Sequence, residues 1–478
     1  MSLVPKYFPY TRPRLTQIEV FGALRRWSEK KIYIEAPTGT GKTAAILSFL
    51  LENPKILWFT FTKREQDIVV REAKRIKEKW GLDFKVVVIR GVSSRCPILE
   101  VRESPFPYQA CLLTRSKGRQ ECLDCPYRRQ FREALYAKLV VTSYAYLSKG
   151  LFDRIRDVFS ACQVVVLDEA HHLILPPRVE IPLSLAEKAY AEGGESIREL
   201  REMVERKPVV RVGVVSVELT SSIYVNEVVS RLKRCRVFYY DSIEEKYVGL
   251  EKDFHGFLKS ILEEKDVVVT SATLTKLRRV LGSGDEYRVQ FHEYKFYPII
   301  YAGGEFPKKK WFSYRVLEEL EWIIESACRF YTRVLAVFPS KELLEQYSEH
   351  CYLPENCLTV VAGSKEAEGI DVDAEICLIL SVPYDRVTKV HRELFKYLRR
   401  YTRRPRVMGY IIPAVIKAVQ AAGRILRKPF RVLVFYDGRW KYLRKYFPVW
   451  LKNSKIKVIK SKKKLYEELV FTSASIPH

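Results

Sequence analysis

Residues 32–51 read IYIEAPTGTGKTAAILSFLL: a short apolar run, a turn with two glycines, and then a helical pattern. Glycine turns of this kind let backbone N–H groups surround phosphates at a helix N-terminus, where the helix dipole favours anions. We therefore predict a phosphate-binding loop at 36–43, between a strand and a helix at 43–51. The general pattern begins with glycine, and here Ala36 stands in that position.

Five residues of this loop have predicted roles toward a nucleotide. Gly39, Thr40 and Gly41 supply backbone donors, and Lys42 is expected to reach the β- and γ-phosphates. The Thr43 hydroxyl is expected to hold Mg²⁺. The loop thus predicts a site for ATP and Mg²⁺.

An acidic pair after a second buried run is predicted to complete the site. Residues 164–171 read VVVLDEAH. Asp168 is the candidate ligand of Mg²⁺, and Glu169 is the candidate general base for the attacking water. Taken alone, an acidic pair after a strand more often marks the start of an ordinary loop. Together with the phosphate loop, it favours the catalytic interpretation. His171 and His172 have no third ligand at useful spacing, so we predict no metal site there.

A third motif lies in a helical pattern near the end of the chain, at 420–427, which reads QAAGRILR. Gln420, Arg424 and Arg427 are spaced i, i+4 and i+7, which places them on one helix face. Two arginines together can stabilise charge on a transferring phosphoryl group. Contact with nucleic-acid phosphates is the alternative. We prefer the first role, because a nucleotide between two domains needs a cation from the second.

Short β-branched runs recur along the chain in two blocks, one before and one after about residue 272. Such runs suit strands that helices cover on both faces, as in a parallel sheet. Two α/β domains are the simplest account, and two stretches of the first block read as insertions. The predicted divisions are 1–90 with 131–171, 91–130, 172–266 and 267–478.

The charge of the chain is concentrated in one region. The 478 residues carry a net charge of +26, and residues 386–464 hold 25 lysines and arginines against two acids. Such a concentration favours a polyanion, because neutralising phosphates releases counterions. A solvated surface of a heat-adapted protein would have balanced signs. No apolar run approaches the ~20 residues of a bilayer crossing, so we expect neither a membrane protein nor a secreted one.

Four of the ten cysteines are crowded into 30 residues. They are Cys96, Cys111, Cys122 and Cys125. Four thiolates can hold either zinc or an iron–sulfur cluster, and their spacing does not choose between the two. The other six are scattered among apolar neighbours and read as small buried hydrophobic residues.

The order of these motifs resembles that of the iron–sulfur branch of superfamily 2 helicases, which includes XPD and DinG. Residues 8–10 and 14–17 resemble the adenine-reading segment of that family, which implies that Gln17 lies near the base. Residues 271–273 (SAT) resemble motif III, and 368–371 (EGID) resemble motif V, which ends at Asp371. The resemblance covers nearly the whole chain.

The resemblance implies two RecA-like parallel-sheet domains, with motif III and the second domain at 267–478. It implies a 4Fe–4S cluster on the four cysteines of 91–130 and a mainly helical arch at 172–266. The implied activity is that of an ATP-dependent DNA helicase moving 5′→3′ on single-stranded DNA and opening tailed duplexes, with DNA repair as its context. We further expect a monomer in the cytoplasm, associated with the nucleoid.

Two departures and two other functions remain open at this stage. The arch is short for the family, and no acidic residue soon follows Arg427. One alternative is an RNA helicase, or a translocase that remodels protein–nucleic acid complexes without unwinding. The other is a nucleic-acid clamp with a structural ATP site, which the presence of Glu169, Arg424 and Arg427 disfavours.

Overall fold

The structure, a computed structural model, describes residues 4–52, 55–213, 215, 220–290, 295–303, 313–364, 372–426 and 428–476. The strands before residue 290 are β1 (Lys31–Glu35), β2 (Ile56–Thr60), β3 (Val86–Val88), β4 (Leu139–Ser143), β5 (Val164–Asp168), β6 (Arg178–Pro182), β7 (Val209–Arg211), β8 (Cys235–Asp241), β9 (Lys246–Glu251), β10 (Asp266–Ser271) and β11 (Asp285–Arg288). Seven of them form a parallel sheet in the order β11-β1-β10-β5-β2-β4-β3.

Helices cover both faces of this first sheet. The helices before residue 290 are α1 (Leu15–Arg25), α2 (Lys42–Leu50), α3 (Lys63–Trp80), α4 (Val92–Arg95), α5 (Leu99–Glu103), α6 (Pro107–Ser116), α7 (Pro126–Ala134), α8 (Lys149–Phe152), α9 (Arg156–Ala161), α10 (Leu183–Ala189), α11 (Arg198–Val204), α12 (Ile223–Leu232), α13 (Phe254–Ile261) and α14 (Arg278–Leu281). Tyr33 of β1 packs into the core on one face, and Ile32 and Ile34 pack into the core on the other. Burial on both faces explains why these strands read as continuous apolar runs.

The second sheet has six parallel strands in the order β14-β13-β15-β16-β12-β17. Its strands are β12 (Phe296–Tyr301), β13 (Val334–Phe338), β14 (Cys357–Val361), β15 (Ile376–Ile379), β16 (Arg431–Tyr436) and β17 (Lys457–Ile459). The accompanying helices are α15 (Tyr314–Phe330), α16 (Lys341–His350), α17 (Lys389–Leu398), α18 (Ile412–Ala422), α19 (Trp440–Leu443), α20 (Val449–Lys452) and α21 (Lys462–Ser473). Two parallel sheets covered by helices confirm the predicted fold class.

The border between the two sheets differs from the predicted one. We expected motif III and the second domain to begin at residue 267, but β10 pairs with β1 and β5, and β11 pairs with β1. Residues 266–288 therefore belong to the first sheet, and the second sheet begins at β12. A buried apolar run such as VVV at 267–269 suits a strand of either sheet, so only the pairing decides its place.

The insertion at 172–266 is mixed rather than mainly helical. Helices α10 to α13 are present, but β6, β9, β8 and β7 form a four-stranded antiparallel sheet beside them. In β6 the residues alternate between buried and exposed positions. Half-exposed strands with charged residues carry a weaker apolar signal than buried parallel strands do, which is why the sequence prediction missed this sheet.

Residues 389–416 of the second block also pack against the first domain. Leu394 and Leu398 of α17, with Met408, Ile412 and Ile416, complete the same apolar core that contains β2, β4 and β5 side chains. Within the described residues, no helix combines the length and apolarity that a membrane crossing requires.

Candidate active site

The glycine-rich turn at 36–41 joins the carboxyl end of β1 to the start of α2. Gly39 and Gly41 have φ values of 76° and 80°, a region that favours glycine. A Cβ at Gly41 would lie 2.4 Å from Nε2 of Gln17, so the close approach also requires glycine. The turn thus presents backbone N–H groups at a helix N-terminus, the arrangement that binds phosphates.

Lys42 points back into this loop and is only 7% exposed. Its Nζ donates to the carbonyl oxygen of Ala36 at 3.0 Å and to Oε1 of Glu169 at 3.3 Å. Thr43 is the next residue of α2 and is half-buried. The Thr40 hydroxyl donates to the Pro37 carbonyl at 2.8 Å and so braces the loop itself. The structure therefore brings the loop cation directly against the acidic pair.

Asp168 ends β5 and is buried. Its Oδ2 accepts from Nε1 of Trp58 at 3.3 Å, and its Oδ1 accepts from the backbone N–H of Glu169 at 3.1 Å. Burial raises the pKa of Asp168 to about 7, with the Glu169 charge adding to the effect and Lys42 opposing it. A buried carboxylate at a strand end, with few protein partners, suits a divalent cation.

Glu169 is ionised in spite of its burial. Burial alone would raise its pKa, but Lys42, then His171 and Arg424, hold the pKa well below its usual range. Its backbone has φ 51°, in the left-handed region that costs a non-glycine residue energy. An ionised carboxylate beside the phosphate loop suits a general base.

A chain of polar contacts connects Glu169 to the second domain. The Ser271 hydroxyl donates to Oε2 of Glu169 at 3.1 Å, and Ser271 Oγ lies 2.8 Å from Nδ1 of His171. The Gln420 amide nitrogen, in α18, lies 3.4 Å from the same His171 nitrogen. His171, for which we predicted no metal role, is thus a hydrogen-bonding partner between the two domains.

The second domain also contacts the phosphate loop itself. The Thr38 hydroxyl donates to the carbonyl oxygen of Gly423 at 3.0 Å, across 385 positions of the chain. Arg424 follows Gly423, and its charge helps to lower the pKa of Glu169. Gln420 and Arg424 therefore both lie near the loop and the acidic pair. The helix ends at Ala422, however, so the predicted helix face does not extend to Arg424.

Gln17 lies beside the loop rather than apart from it. Its Nε2 donates to the Gly41 carbonyl at 3.1 Å, and its Oε1 accepts from the backbone N–H of Arg14 at 3.0 Å. Arg14 also donates to the Gly39 carbonyl at 2.6 Å. The structure thus brings Gln17 to the edge of the glycine-rich loop, and its role toward a base stays a prediction. Asp371 and Arg427, the remaining predicted residues, lie outside the described residues.

Sequence reasoning overlooked two side chains next to the acidic pair. Glu65 caps α3, and burial, with the Glu169 charge adding to it, raises its pKa to about 7. The Tyr144 hydroxyl donates to the Asp168 carbonyl at 2.6 Å. Tyr144 directly follows β4, at the carboxyl end of the same sheet that carries Asp168.

The four crowded cysteines converge in the first insertion. Cys96 follows α4, Cys111 lies in α6, Cys122 lies in a short turn of helix, and Cys125 precedes α7. They share one small apolar cluster, and all are free thiols. Burial raises the pKa of Cys111 to about 11, and the other three thiols add to this rise.

This convergence fits a cluster site in its chemistry. Thiols close enough to raise one another's pKa are electrostatically unfavourable as thiolates unless a cation neutralises them. Four cysteines are the ligand set of a 4Fe–4S cluster and also of structural zinc. In the described parts of the chain, however, no three His, Cys, Asp or Glu side chains are placed closely enough to hold a metal ion.

A cavity of about 860 Å³ opens between the first sheet domain and the two insertions. Its wall carries six cationic side chains and three acidic ones. The cations are Lys149, Arg154, Lys233, Arg234, Arg236 and Lys252. Tyr108, Tyr127 and Tyr146 contribute aromatic surface to its wall. The guanidinium of Arg154 lies 3.6 Å from the centre of the Tyr108 ring. Cations with aromatic rings are the surface that single-stranded nucleic acid prefers.

Two protein-family models match this chain. Residues 11–209 match the family described as the type III restriction enzyme res subunit, which spans the phosphate loop and the acidic pair. Residues 312–454 match the family described as the helicase C-terminal domain, which spans Gln420 and Arg424. The two matches thus lie on the two sides of the candidate site.

One curated protein is similar to part of this chain. The chain is 26% identical over 185 residues to a protein named ATP-dependent DNA helicase XPD from Sulfolobus acidocaldarius, a match covering 31% of this chain. That match spans only 33% of the curated relative's length.

Two solved structures are similar to this fold across most of the chain. One, titled XPD_Helicase, has a TM-score of 0.66 and 17% identity and is covered over 100% of its length, with 94% of this chain. The other, Xpd4 of S. tokodaii, has a TM-score of 0.60 and 15% identity, with 93% of this chain and 100% of that one covered. The fold of this chain is therefore similar to that of the solved XPD structures, and two parts of the chain match a restriction-enzyme res subunit family and a helicase C-terminal domain family.

Proposed function

We propose that this protein is an ATP-dependent DNA helicase that translocates 5′→3′ on single-stranded DNA and opens duplexes. The observation that carries the proposal is the contact between Glu169, Ser271, His171 and Gln420. It connects a phosphate loop and an acidic pair in the first domain with a helix of the second. A site shared by two domains lets hydrolysis change their relative position.

The residues of the cleft divide the work of hydrolysis among them. Lys42 and the loop N–H groups bind the β- and γ-phosphates of ATP. Glu169, kept ionised, orients a water and takes its proton as the water oxygen bonds to the γ-phosphorus and ADP leaves. Arg424 stabilises the negative charge that develops on the transferred group.

Two predicted residues and a metal ion complete this assignment. Thr43 and Asp168 are the side chains that would hold Mg²⁺, which neutralises charge on the phosphates when bound. From the sequence, we propose that Arg427 stabilises the same developing negative charge as Arg424. Asp371 is assigned to the side of the second domain that faces the nucleotide. Gln17 is assigned to the adenine base.

The cavity between the first domain and the insertions is the proposed route of the DNA strand. Its cations would neutralise backbone phosphates, and its tyrosines would stack against separated bases. The four cysteines share an apolar cluster with Tyr108 and Tyr127, two of the residues that line this cavity. We assign a 4Fe–4S cluster to Cys96, Cys111, Cys122 and Cys125, which would stiffen the wall where strands part.

Substituting serine for Cys111 is expected to remove iron and sulfide from the protein and to abolish most duplex unwinding. ATP hydrolysis stimulated by single strands should survive to a larger extent, because Lys42 and Glu169 lie on other elements. Metal and sulfide analysis of anaerobically purified protein, with both activities, measures this. The matched control is Cys162→Ser, a buried thiol outside the group. Equal loss of both activities would contradict a strand-parting role, and bound zinc would contradict the cluster.

The decisive experiment for the proposed function uses matched DNA duplexes that carry either a 5′ or a 3′ single-stranded tail, with ATP and Mg²⁺. We expect the protein to open only the 5′-tailed duplex. Opening of the 3′-tailed duplex alone would overturn the assigned direction. The expected cellular context is DNA repair, with the protein acting as a monomer in the cytoplasm near the nucleoid.

The compact second insertion favours one other function. An arch confined to residues 172–266 offers little surface to hold a displaced strand. A translocase that remodels protein–nucleic acid complexes, or an RNA helicase, would need less of it. In either case neither tailed DNA duplex opens, while single strands still stimulate ATP hydrolysis.

A further inference from the structure

Glu35 is a buried carboxylate that the hydrolysis scheme above does not use. It is the last residue of β1 and directly precedes the phosphate loop. It is 6% exposed, and among the described residues no cation forms an ion pair with it. A buried carboxylate persists only where hydrogen bonds replace its lost hydration. The groups that donate hydrogen bonds to Glu35 therefore indicate its role.

Those partners are two backbone N–H groups from different domains. Oε2 of Glu35 accepts from Leu274, directly after motif III, at 2.9 Å. Oε1 accepts from Val449, at the start of α20 in the second domain, at 2.8 Å. Burial raises the pKa of Glu35, and these two hydrogen bonds oppose the rise. One carboxylate thus joins motif III to the second domain.

The residue after Val449 makes a parallel contact. Nε1 of Trp450 donates to the carbonyl oxygen of Ala272, the middle residue of motif III, at 3.0 Å. Trp450 and Ala272 are 3% and 2% exposed, so water does not substitute easily for this hydrogen bond. Consecutive residues of α20 therefore contact motif III at Ala272 and, through Glu35, the residue that follows the motif.

Motif III in turn controls the position of the general base. Ser271 pairs with Glu35 across β1 and β10, and the Ser271 carbonyl accepts from the backbone N–H of Ala36 at 3.0 Å. The Ser271 hydroxyl donates to Oε2 of Glu169. A shift of the backbone at 271–274 therefore moves the hydrogen bond that orients Glu169.

We infer that Glu35 and Trp450 are positioning residues that couple the approach of the second domain to the alignment of Glu169. When the two domains separate, the hydrogen bonds of Val449 and Trp450 break together, and motif III loses its outer support. When the domains meet, both form again and Ser271 is held against Glu169. The inference rests on the proposed ATP hydrolysis.

Two substitutions test this coupling without removing a group that touches the nucleotide. Glu35→Gln keeps the shape of the side chain but replaces one carboxylate oxygen with an amide NH₂ group. That group faces a backbone N–H donor and cannot accept from it, so one of the two hydrogen bonds is lost. Trp450→Phe removes only the indole N–H and retains an aromatic ring. Trp440→Phe is the matched control, because its buried Nε1 makes no hydrogen bond within the described residues.

The expected result is a fall in kcat with single-stranded DNA and an unchanged KM for ATP. We expect about a 10- to 100-fold fall for Glu35→Gln, and about a 3- to 10-fold fall for Trp450→Phe. The double variant should lose little more than Glu35→Gln alone, because both substitutions release the same contact. Trp440→Phe should retain the wild-type kcat.

The outcomes separate this inference from the proposed function. If the wild-type protein hydrolyses ATP and Trp450→Phe equals Trp440→Phe in kcat, the coupling is absent while the function stands. A higher KM for ATP together with a lower thermal stability, and additive effects in the double variant, would mean a merely structural role. A wild-type protein without ATP hydrolysis would overturn the proposed function and this inference with it.

Discussion

Substituting alanine for Arg424 is expected to lower the kcat of ATP hydrolysis by about 10³–10⁵-fold, the range that arginine fingers contribute. Arg424 follows α18, and its charge already lowers the pKa of Glu169, so the guanidinium lies near the reacting groups. Its removal leaves the developing phosphoryl charge without a cation from the second domain. Phosphate release measured at saturating ATP and single-stranded DNA gives the result.

The affinity for the nucleotide should change much less than kcat, because Lys42 and the loop lie on the other domain. Binding of a fluorescent ATP analogue checks this. Arg333→Ala is the matched control, since Arg333 precedes β13 and pairs with Asp373 at 2.7 Å on the exposed side. A kcat within a few-fold of the wild type would instead assign Arg424 to nucleic-acid phosphates.

Glu169→Gln is expected to lower kcat by about 10²–10⁴-fold, the usual contribution of a general base. The amide retains the shape of the side chain but cannot take a proton from water. It also loses the ion pair with Lys42, whose Nζ lies 3.3 Å away. Because Lys42 and the loop N–H groups remain, nucleotide binding should persist while hydrolysis falls. The variant thus separates proton transfer from binding.

Glu72→Gln is the control for this variant. Glu72 is also a buried carboxylate of the first domain, 4% exposed, but it binds Tyr10 and Arg75 away from the cleft. Rapid ATP hydrolysis by Glu169→Gln would contradict the assignment of the base. Asp168 or Glu65, the neighbouring carboxyls with pKa values of about 7, would then be the groups to replace next.

The fold class followed from local patterns because parallel strands are buried on both faces. Runs such as VVVL at 164–167 read as strands without knowledge of their neighbours. The sheet β6-β9-β8-β7 gave no such signal, since its strands are not continuous buried apolar runs and β6 alternates exposed and buried residues. Strand pairing is a property of the whole chain, which explains why the border predicted at residue 267 falls inside the first sheet.

The residues of the candidate site could be predicted from the sequence because each motif is local. A turn with Gly39 and Gly41 next to Lys42 has the same physical requirements in any protein that binds phosphates this way. The sequence does not show which of these motifs contact one another in the folded chain. The 3.3 Å contact of Lys42 with Glu169 and the hydrogen bond of Ser271 with Glu169 connect strands β1, β5 and β10 through the sheet order.

Local sequence was enough to predict the glycine turn between β1 and α2, the acidic pair after β5 and the α/β character, because glycine conformation and strand burial act over a few residues. The contacts between domains required the folded chain. Glu35 and Val449 are 414 positions apart, and Trp450 and Ala272 are 178 apart. No short-range pattern marks such pairs, since their proximity arises only when two sheets pack and bury the polar groups between them.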